Sequence, residues 1–277
     1  MSEAEPIERR IAEVAVAAAR AAGEILRRCA REPRKVDAAE AYDIKLEADR
    51  LCERAILDAI RAEFAGHSVL AEESGSAAGS EYEWIIDPLD GTVNYYYGLP
   101  YYAVSVACYA TAGRPAPANG QGLDVLGRPV VGVVYVPALD ELFVARPGEG
   151  ATLNGQPIRV GDVGRLAESI LATGYGKATD SGKRMAESIA RLVGKVRKLR
   201  CLGAAAFDCC NVAAGRLTGF FEAALRTWDV AAGAIVLAEA GGVCPAERIG
   251  PDAWRVVAAA PGIVEELREQ LRDLGWR

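Results

Sequence analysis

The sequence predicts an α+β / α/β protein whose two halves are built differently. In the first half, two long segments with apolar residues at helical spacing precede a series of short apolar segments, which is typical of mostly antiparallel strands. In the second half, short apolar segments alternate with amphipathic ones, which indicates strands alternating with helices. The 277 residues suffice for one large or two small domains.

The first half begins with an amphipathic helix in which Ile7, Ile11 and Val14 recur at helical spacing. A second amphipathic helix follows and ends at Gly66. The elements expected in this half are helices over 6–31 and 47–64, strands over 67–71, 84–86 and 101–110, a loop over 111–129, a hairpin of strands over 130–135 and 141–145, and turns over 148–155.

The pattern of the second half predicts a regular alternation of strands and helices. The expected strands are 169–173, 195–200, 220–224 and 255–259, and the expected helices are 180–193, 203–214, 228–240 and 262–274. A soft boundary near 145–165 divides the chain into an N-terminal part, residues 1–150, and a C-terminal part, residues 151–277.

Charge and histidine content exclude several classes of function. Lys and Arg number 32 against 38 Asp and Glu, and the net charge of −6 argues against nucleic-acid binding through bulk electrostatics, which needs a basic face. The one histidine, His67, excludes a histidine-rich zinc site and a haem held by two histidines. We interpret His67 as structural because it opens an apolar strand.

The cysteines and the termini favour a cytoplasmic protein. The seven cysteines form no C-x-x-C pair, and scattered cysteines of this kind are typical of buried small side chains in a reducing compartment. The charged N-terminus does not resemble a signal peptide. No apolar run reaches the roughly 18–20 residues needed to span a membrane.

The most informative segment is 84–94, Trp-Ile-Ile-Asp-Pro-Leu-Asp-Gly-Thr-Val-Asn. An apolar strand leads into two carboxylates three residues apart, Asp87 and Asp90, and Gly91 lets the backbone approach another group closely. Clustered carboxylate oxygens suit Mg²⁺. The N–H groups of Gly91 and Thr92 can bind an anion if a helix starts there. Asp-Pro and Asp-Gly are also the residues of ordinary turns, so this segment alone leaves both interpretations open.

Five further acids are candidates for the same site. Glu72 and Glu73 follow an apolar strand, where they form either a solvated loop or, if this strand lies beside 84–86, part of the same acidic sheet edge. Asp229 precedes a helix of small residues, as an N-cap or as a metal ligand. Glu222 interrupts an apolar strand, at an exposed position or at a ligand. Asp49 lies in a first helical turn, where an acid also suits the helix dipole.

Taken together, these motifs resemble the inositol monophosphatase family, the Mg²⁺-dependent, lithium-sensitive sugar-phosphate phosphatases. The resemblance spans nearly the whole chain. It rests on four segments: Ala-Glu-Glu-Ser at 71–74, the segment 84–94, Gly-Ala-Ala-Ala at 203–206, and Trp-Asp-Val-Ala-Ala-Gly at 228–233. It implies a layered αβαβα sugar-phosphatase-like fold with an antiparallel sheet in the first half and a mixed sheet in the second.

The resemblance also implies roles for individual residues. The implied ligands of two or three Mg²⁺ are Glu72, Asp87, the carbonyl of Leu89, Asp90 and Asp229. The implied catalytic residues are Glu72, Thr92 and Asp49, with Thr92 orienting the attacking water and Asp49 as its partner. The implied substrate contacts are Asp90, Gly91, Thr92, Gly203, Ala205, Glu222 and Asp229. Residues 1–150 thus carry most metal ligands, and residues 151–277 carry Asp229 and most substrate contacts.

These roles imply a phosphoric monoester hydrolase that uses metal-activated water, with inositol 1-phosphate as the first candidate substrate. Histidinol phosphate, fructose 1,6-bisphosphate and nucleotide 2′- or 3′-phosphates are alternatives within the family. A non-catalytic partner protein that keeps the fold is an alternative of a different class. The resemblance also implies a homodimer, and we expect neither a nucleic acid nor a membrane as partner.

Four positions depart from the pattern common in the family. Leu46 stands where a threonine is common, so one hydroxyl near the metal side is missing. Arg226 adds a positive charge near the implied hydroxyl-binding side. Lys45 lies either near the metals or towards solvent, and Lys177 either binds a second anionic group or is an ordinary surface lysine. These departures leave the substrate open rather than the chemistry.

Overall fold

A computed structural model of the chain describes residues 4–31, 36–40, 43–79, 81–113, 123, 126–175 and 179–276; of these, 4–6, 37–40, 43–45 and 179 are described through their backbone only. None of the helices in these ranges combines the length and the apolar character that a membrane-spanning segment needs.

Seven α-helices lie within the described ranges, and the longest are the two that the apolar periodicity predicts near the N-terminus. The helices are α1 (Ala4–Cys29), α2 (Glu47–Phe64), α3 (Thr92–Tyr97), α4 (Thr179–Leu192), α5 (Ala205–Ala213), α6 (Thr227–Glu239) and α7 (Val264–Arg272). The small residues on the buried face of α1 let it pack closely on the sheet, and Gly23 leaves no room for a Cβ, which would lie 2.3 Å from the ring of Tyr135.

The first half forms a small hairpin and a large sheet. The hairpin strands are β1 (Val36–Glu40) and β2 (Asp43–Leu46). The strands of the large sheet are β3 (Ser68–Ala71), β4 (Gly75–Ala77), β5 (Tyr82–Asp90), β6 (Ala103–Ala110), β7 (Arg128–Val136), β8 (Glu141–Arg146), β9 (Gly150–Leu153) and β10 (Gln156–Ile158). Their order is β10-β9-β8-β7-β6-β5-β3-β4, and every pair is antiparallel except β3 with β5.

The second half forms a mixed sheet, as predicted, but with five strands instead of the four expected, since β14 was not predicted. Its strands are β11 (Ile170–Thr173), β12 (Lys198–Arg200), β13 (Gly219–Arg226), β14 (Ala246–Arg248) and β15 (Ala253–Ala259). They lie in the order β12-β11-β13-β15-β14, with parallel pairing around β11 and antiparallel pairing around β15.

The helices and sheets stack in five layers, which confirms the predicted αβαβα fold. Helices α1 and α2 cover the outer face of the first sheet, and α5 and α6 fill the space between the two sheets. Helices α4 and α7 cover the outer face of the second sheet. The central helix layer is rich in alanine, whose small side chain allows backbones to approach each other closely. The N-termini of α5 and α6 are thereby held against the edge of the first sheet.

Several sequence predictions are wrong in detail. Residues 150–153 and 156–158, within or next to the region expected to hold only turns, form β9 and β10 at the end of the first sheet. The strand expected over 84–86 extends to Asp90, so Asp87 and Asp90 lie inside a strand and not on a turn after it. Of the loop expected over 111–129, positions 114–122, 124 and 125 lie outside the described residues, and β7 already begins at Arg128.

His67 lies in an aromatic cluster behind the first sheet, which agrees with its structural interpretation. Its ring stacks on Phe64 with 4.7 Å between centroids, and its Nδ1 accepts a hydrogen bond from Trp84 Nε1 at 3.1 Å. Partial burial lowers the pKa of the imidazole.

Four of the cysteines are buried as predicted, whereas Cys29 and Cys244 are half-buried and Cys201 is exposed.

Candidate active site

The site begins where β3 ends and its parallel pairing with β5 stops. Ala71 pairs with Ile86, so the next residues of the two strands are Glu72 and Asp87. The Glu72 N–H donates to the Ile86 carbonyl at 3.3 Å, and the side chains of Glu72 and Asp87 are hydrogen-bonded to each other. The two strands therefore lie side by side, as the prediction of a shared acidic sheet edge required.

A bulge in β5 aims the second acid of this strand. The pairing of β5 with β6 shifts register between Asp87 and Asp90, and such bulges redirect side chains at sheet edges. Within the bulge, the Leu89 N–H donates to Asp87 Oδ1 at 2.9 Å. The Leu89 carbonyl accepts the Thr92 hydroxyl at 3.0 Å. The segment thus brings two carboxylates, a carbonyl and a hydroxyl to one place.

Three helix N-termini hold acids at the site through backbone N–H groups. Asp90 accepts the N–H groups of Ala205 at 3.1 Å and Ala206 at 2.8 Å, in the first turn of α5. Asp49 Oδ2 accepts the N–H of Leu46 at 2.6 Å at the start of α2. Asp229 Oδ2 accepts the N–H of Arg226, the residue that precedes α6, at 2.7 Å. Asp229 is therefore the third residue of its helix and not the N-cap, and the positive ends of these helix dipoles face the acids.

The acids at this edge of the sheet have raised pKa values. Burial, followed by the charges of Asp229, Glu73 and Asp49, raises the pKa of Glu72 to about 8. Burial and the charge of Asp229 raise the pKa of Asp90 to about 8, although N–H groups of α5 oppose the shift. The pKa of Asp87 lies well above its usual range for the same reason, burial, and because Glu72 and Asp90 are close.

The chemistry of these donors fits Mg²⁺. All of them are hard oxygens: the carboxylates of Glu72, Asp87, Asp90 and Asp229 and the carbonyl of Leu89. They are not gathered around one point, since in the described part of the chain no three His, Cys, Asp or Glu side chains form a group that holds a metal ion as it stands. A cation would supply the positive charge that the raised pKa values of these acids show to be missing.

Glu222 faces the same site from the second sheet. It lies on β13, and burial followed by the charges of Asp229 and Asp90 raises its pKa to about 8. The carboxyl fits only because residue 174 is glycine, where a Cβ would lie 2.1 Å from Glu222 Oε2. The exposed-strand interpretation of Glu222 is therefore wrong. Gly203, with φ +81°, and Ala205 lie at the start of α5 beside Asp90.

Sequence reasoning gave no role to Asn94, although the residue closes the informative segment. Its Nδ2 donates to the carbonyls of Tyr101 and Leu202, both at 2.7 Å. These bonds tie α3 to the turn that leads into α5, and so connect the two ends of the site. The acceptors are backbone atoms, one of them 108 residues away, so no side-chain motif identifies them.

Of the positions that depart from the family pattern, two are described in full. Leu46 is buried, and its backbone rather than its side chain meets Asp49. Arg226 is exposed and contributes its N–H to Asp229. Lys45 is described through its backbone only, and Lys177 lies outside the described residues.

Replacing Gly91 by alanine is expected to lower the free energy of unfolding by roughly 1–3 kcal/mol because the backbone there is left-handed. The loss should exceed that of the same change at Gly148, because at Gly91 the added Cβ would also meet packed atoms. Gly91 has φ +87°, and a Cβ would lie 2.8 Å from the Tyr101 carbonyl oxygen and 3.2 Å from that of Gly203. Urea denaturation measures the change. The matched control is Gly148→Ala, with φ +80° and nothing within 4 Å of its Cβ. Equal losses for both variants would show that close packing at Gly91 contributes nothing.

The chain is similar to known proteins over nearly its whole length. The model of the inositol monophosphatase family matches residues 8–118 and 121–274. Inositol monophosphatase 2 of Solanum lycopersicum is 39% identical over 240 residues, which are 83% of this chain and 85% of that protein. Nus factor SuhB of Escherichia coli (strain K12) is 36% identical over 268 residues, 94% of this chain and 95% of that protein.

Solved structures show the same fold. The extragenic suppressor protein suhB from Bartonella henselae has a TM-score of 0.83 at 32% identity, covering 95% of this chain and 98% of that one. The inositol monophosphatase from Anabaena (Nostoc) sp. has a TM-score of 0.79 at 35% identity, covering 97% of both chains. With a family model that matches nearly the whole length, this chain belongs to the inositol monophosphatase family.

Proposed function

We propose that the protein is a Mg²⁺-dependent phosphatase of small phosphorylated polyols, with inositol 1-phosphate as the first substrate to test. The observation that carries this proposal is that Glu72, Asp87, Asp90 and Asp229 lie at one edge of the first sheet, where burial and mutual repulsion raise the pKa values of Glu72, Asp87 and Asp90. Membership of the family supports the same chemistry.

The metal side would be held by Glu72, Asp87, the Leu89 carbonyl, Asp90 and Asp229. Mg²⁺ bound there would neutralise the phosphate dianion and make an attacking water more acidic. Glu72 is proposed to accept a proton from that water, because its carboxylate follows β3 directly beside Asp87. The Thr92 hydroxyl donates a hydrogen bond to the Leu89 carbonyl. Its oxygen can therefore accept a hydrogen bond from a water and orient that water.

The phosphate and the leaving group would lie on opposite sides of these acids. Gly91 and Thr92 begin α3, where backbone N–H groups suit a phosphate oxygen. Glu222, with Gly203 and Ala205, is placed to bind hydroxyls of the leaving group. The pairing of Thr92 with Asp49 during proton transfer is part of the same proposal, and it is supported by the closeness of Asp49 to Glu72.

Replacing Gly174 by alanine is expected to raise KM for a polyol phosphate about 10-fold, the effect of losing one hydrogen bond to a charged group. The added Cβ would displace the Glu222 carboxyl, and Glu222 is proposed to hold a substrate hydroxyl. KM for p-nitrophenyl phosphate, which has no hydroxyl on its leaving group, should not change. Gly164→Ala, with nothing within 4 Å of its Cβ, is the control. Equal KM increases for both substrates would contradict this role of Glu222.

Phosphate release by the purified protein with Mg²⁺ tests the proposed function. The panel contains inositol 1-phosphate, histidinol phosphate, fructose 1,6-bisphosphate, NADP and adenosine 3′,5′-bisphosphate. Turnover of inositol 1-phosphate that is inhibited by lithium is the expected result. Preference for another member would keep the chemistry and change the substrate. No turnover of any member would overturn the proposal.

The second candidate is a partner-protein role, because several relatives at 36–37% identity carry the name Nus factor SuhB. A surface that binds a partner does not require four mutually repelling acids, of which Asp87 and Asp90 are buried, so catalysis is the first candidate. The two roles separate experimentally, since Glu72→Gln should abolish phosphate release and leave a partner surface intact.

We also propose a homodimer. The exposed apolar side chains Val93, Tyr97 and Leu99 lie on and just after α3, and burying such side chains stabilises an interface. Sedimentation equilibrium of the parent chain measures the mass directly, and a monomer at micromolar concentration would contradict the proposal.

A further inference from the structure

A second acid on α2, Glu53, reaches the turn that carries Glu72. It lies one helical turn after Asp49 on the same face and is 4% exposed. Its Oε2 accepts the N–H of Glu73 at 2.8 Å. No motif of the sequence drew attention to this residue, and the mechanism proposed above does not use it.

The hydrogen bond holds a short connection from one side. Residues 72–74 join β3 to β4, whose pairing closes with Ala71 opposite Gly75. On the β5 side, the turn is held by the longer bond of 3.3 Å from the Glu72 N–H to Ile86. Glu53 supplies the shorter bond, of 2.8 Å, on the α2 side. The backbone on both sides of the Glu72 side chain is therefore fixed.

A buried carboxylate is costly unless it makes good hydrogen bonds, so its presence inside α2 requires a reason. The contact with Glu73 gives one, because it connects the helix that carries Asp49 to the turn that carries Glu72. Both residues belong to the proposed metal and proton-transfer side, and α2 thus orients the two from a single rigid element.

We propose that Glu53 is a positioning residue: by holding the Glu73 N–H, it fixes the direction in which the Glu72 carboxyl meets the metal side. This inference rests on the proposed function for its effect on turnover, but the local geometry can be tested without any substrate. The required property is an acceptor oxygen at position 53, and the negative charge is secondary.

The test compares substitutions that keep or remove the acceptor. Glu53→Gln keeps a carbonyl oxygen, and kcat and Mg²⁺ affinity should stay near parental values. Glu53→Ala removes it, and we expect a loss of about 10–100-fold in Mg²⁺ affinity, the range found for residues that support ligands. Glu53→Leu keeps most of the volume and replaces the alanine variant if that variant does not fold. Asp58→Ala, at an exposed acid further along α2, is the control.

Two readouts are independent of turnover. Isothermal titration measures Mg²⁺ binding, and amide hydrogen exchange measures the opening of the Glu73 N–H. Faster exchange at Glu73 and weaker Mg²⁺ binding in Glu53→Ala or Glu53→Leu, but not in Glu53→Gln, would support the inference even if no substrate of the panel is hydrolysed. Unchanged Mg²⁺ affinity in the alanine and leucine variants, or an equal loss in Glu53→Gln, would overturn it.

Discussion

Replacing Glu72 by glutamine is expected to lower kcat by about 10²–10⁴-fold, the usual contribution of a positioned proton acceptor. Glutamine has nearly the same shape, and its amide can still donate a hydrogen bond to Asp87. It loses the ability to take a proton and is a weaker ligand for Mg²⁺. The metal-free variant should be at least as stable as the parent, because burial and the charge of Asp229 disfavour an ionised Glu72. Phosphate release and thermal melting in EDTA measure the two effects.

Glu73→Gln is the matched control, since it makes the same change of charge at the next position. The contact of residue 73 with Glu53 uses the backbone N–H, which this substitution keeps. We expect kcat close to the parental value. If both variants lost activity equally, the total charge of the turn would matter and not Glu72 itself. A Glu72→Gln variant with near-parental kcat would remove Glu72 from the mechanism.

The parts of the fold that the sequence predicts well are those with strong local signals. The boundaries of α2 are as predicted, because an 18-residue amphipathic pattern ends at a glycine. The sequence also predicts that Glu72 lies close to Asp87, because each follows an apolar segment and the two segments were expected to pair. The parallel pairing of β3 with β5 brings the two acids together. Such patterns reflect burial of one face, which acts on every residue of the element.

The parts that the sequence does not predict depend on partners distant along the chain. The hairpin β1–β2 and the strands β4, β9 and β10 have three to five residues each, and strands this short form only because a neighbouring strand offers its hydrogen bonds. Asp87 and Asp90 looked like turn residues because a proline and a glycine follow them, yet a bulge against β6 keeps both within β5.

The same limit applies within the site. Asn94 and Glu53 bind backbone atoms, which every residue possesses, so their partners leave no trace in the amino-acid pattern. The acids could be proposed as ligands from the sequence because carboxylates are distinctive. The groups that orient them were missed because a side chain bonded to a backbone N–H or carbonyl can belong to any helix or turn.

In metal-free protein, the melting temperature is expected to fall as pH rises from 6.5 to 8. The pKa values of Glu72, Asp90 and Glu222 are raised to about 8, so the folded chain keeps protons that the unfolded chain has already released. Stability from a raised pKa is complete below the unfolded value, near 4, and is lost as pH rises through the folded value. The lowered pKa of His67 acts in the opposite direction only below about 6.5.

Each proton that the folded state retains in excess costs about 1.4 kcal/mol of stability per pH unit. Since about 1 kcal/mol moves the melting temperature of a chain this size by roughly 2–4 °C, a fall on the order of 10 °C is expected. Mg²⁺ would take the place of the protons on Glu72 and Asp90, so millimolar Mg²⁺ should raise the melting temperature more at pH 8 than at pH 6.5. In EDTA, the melting temperature of the Glu72→Gln variant should fall less steeply with rising pH than that of the parent. A melting temperature that stays constant from pH 6.5 to 8 in EDTA, or an equal effect of Mg²⁺ at both values, would mean that the acids do not repel one another enough to require a cation.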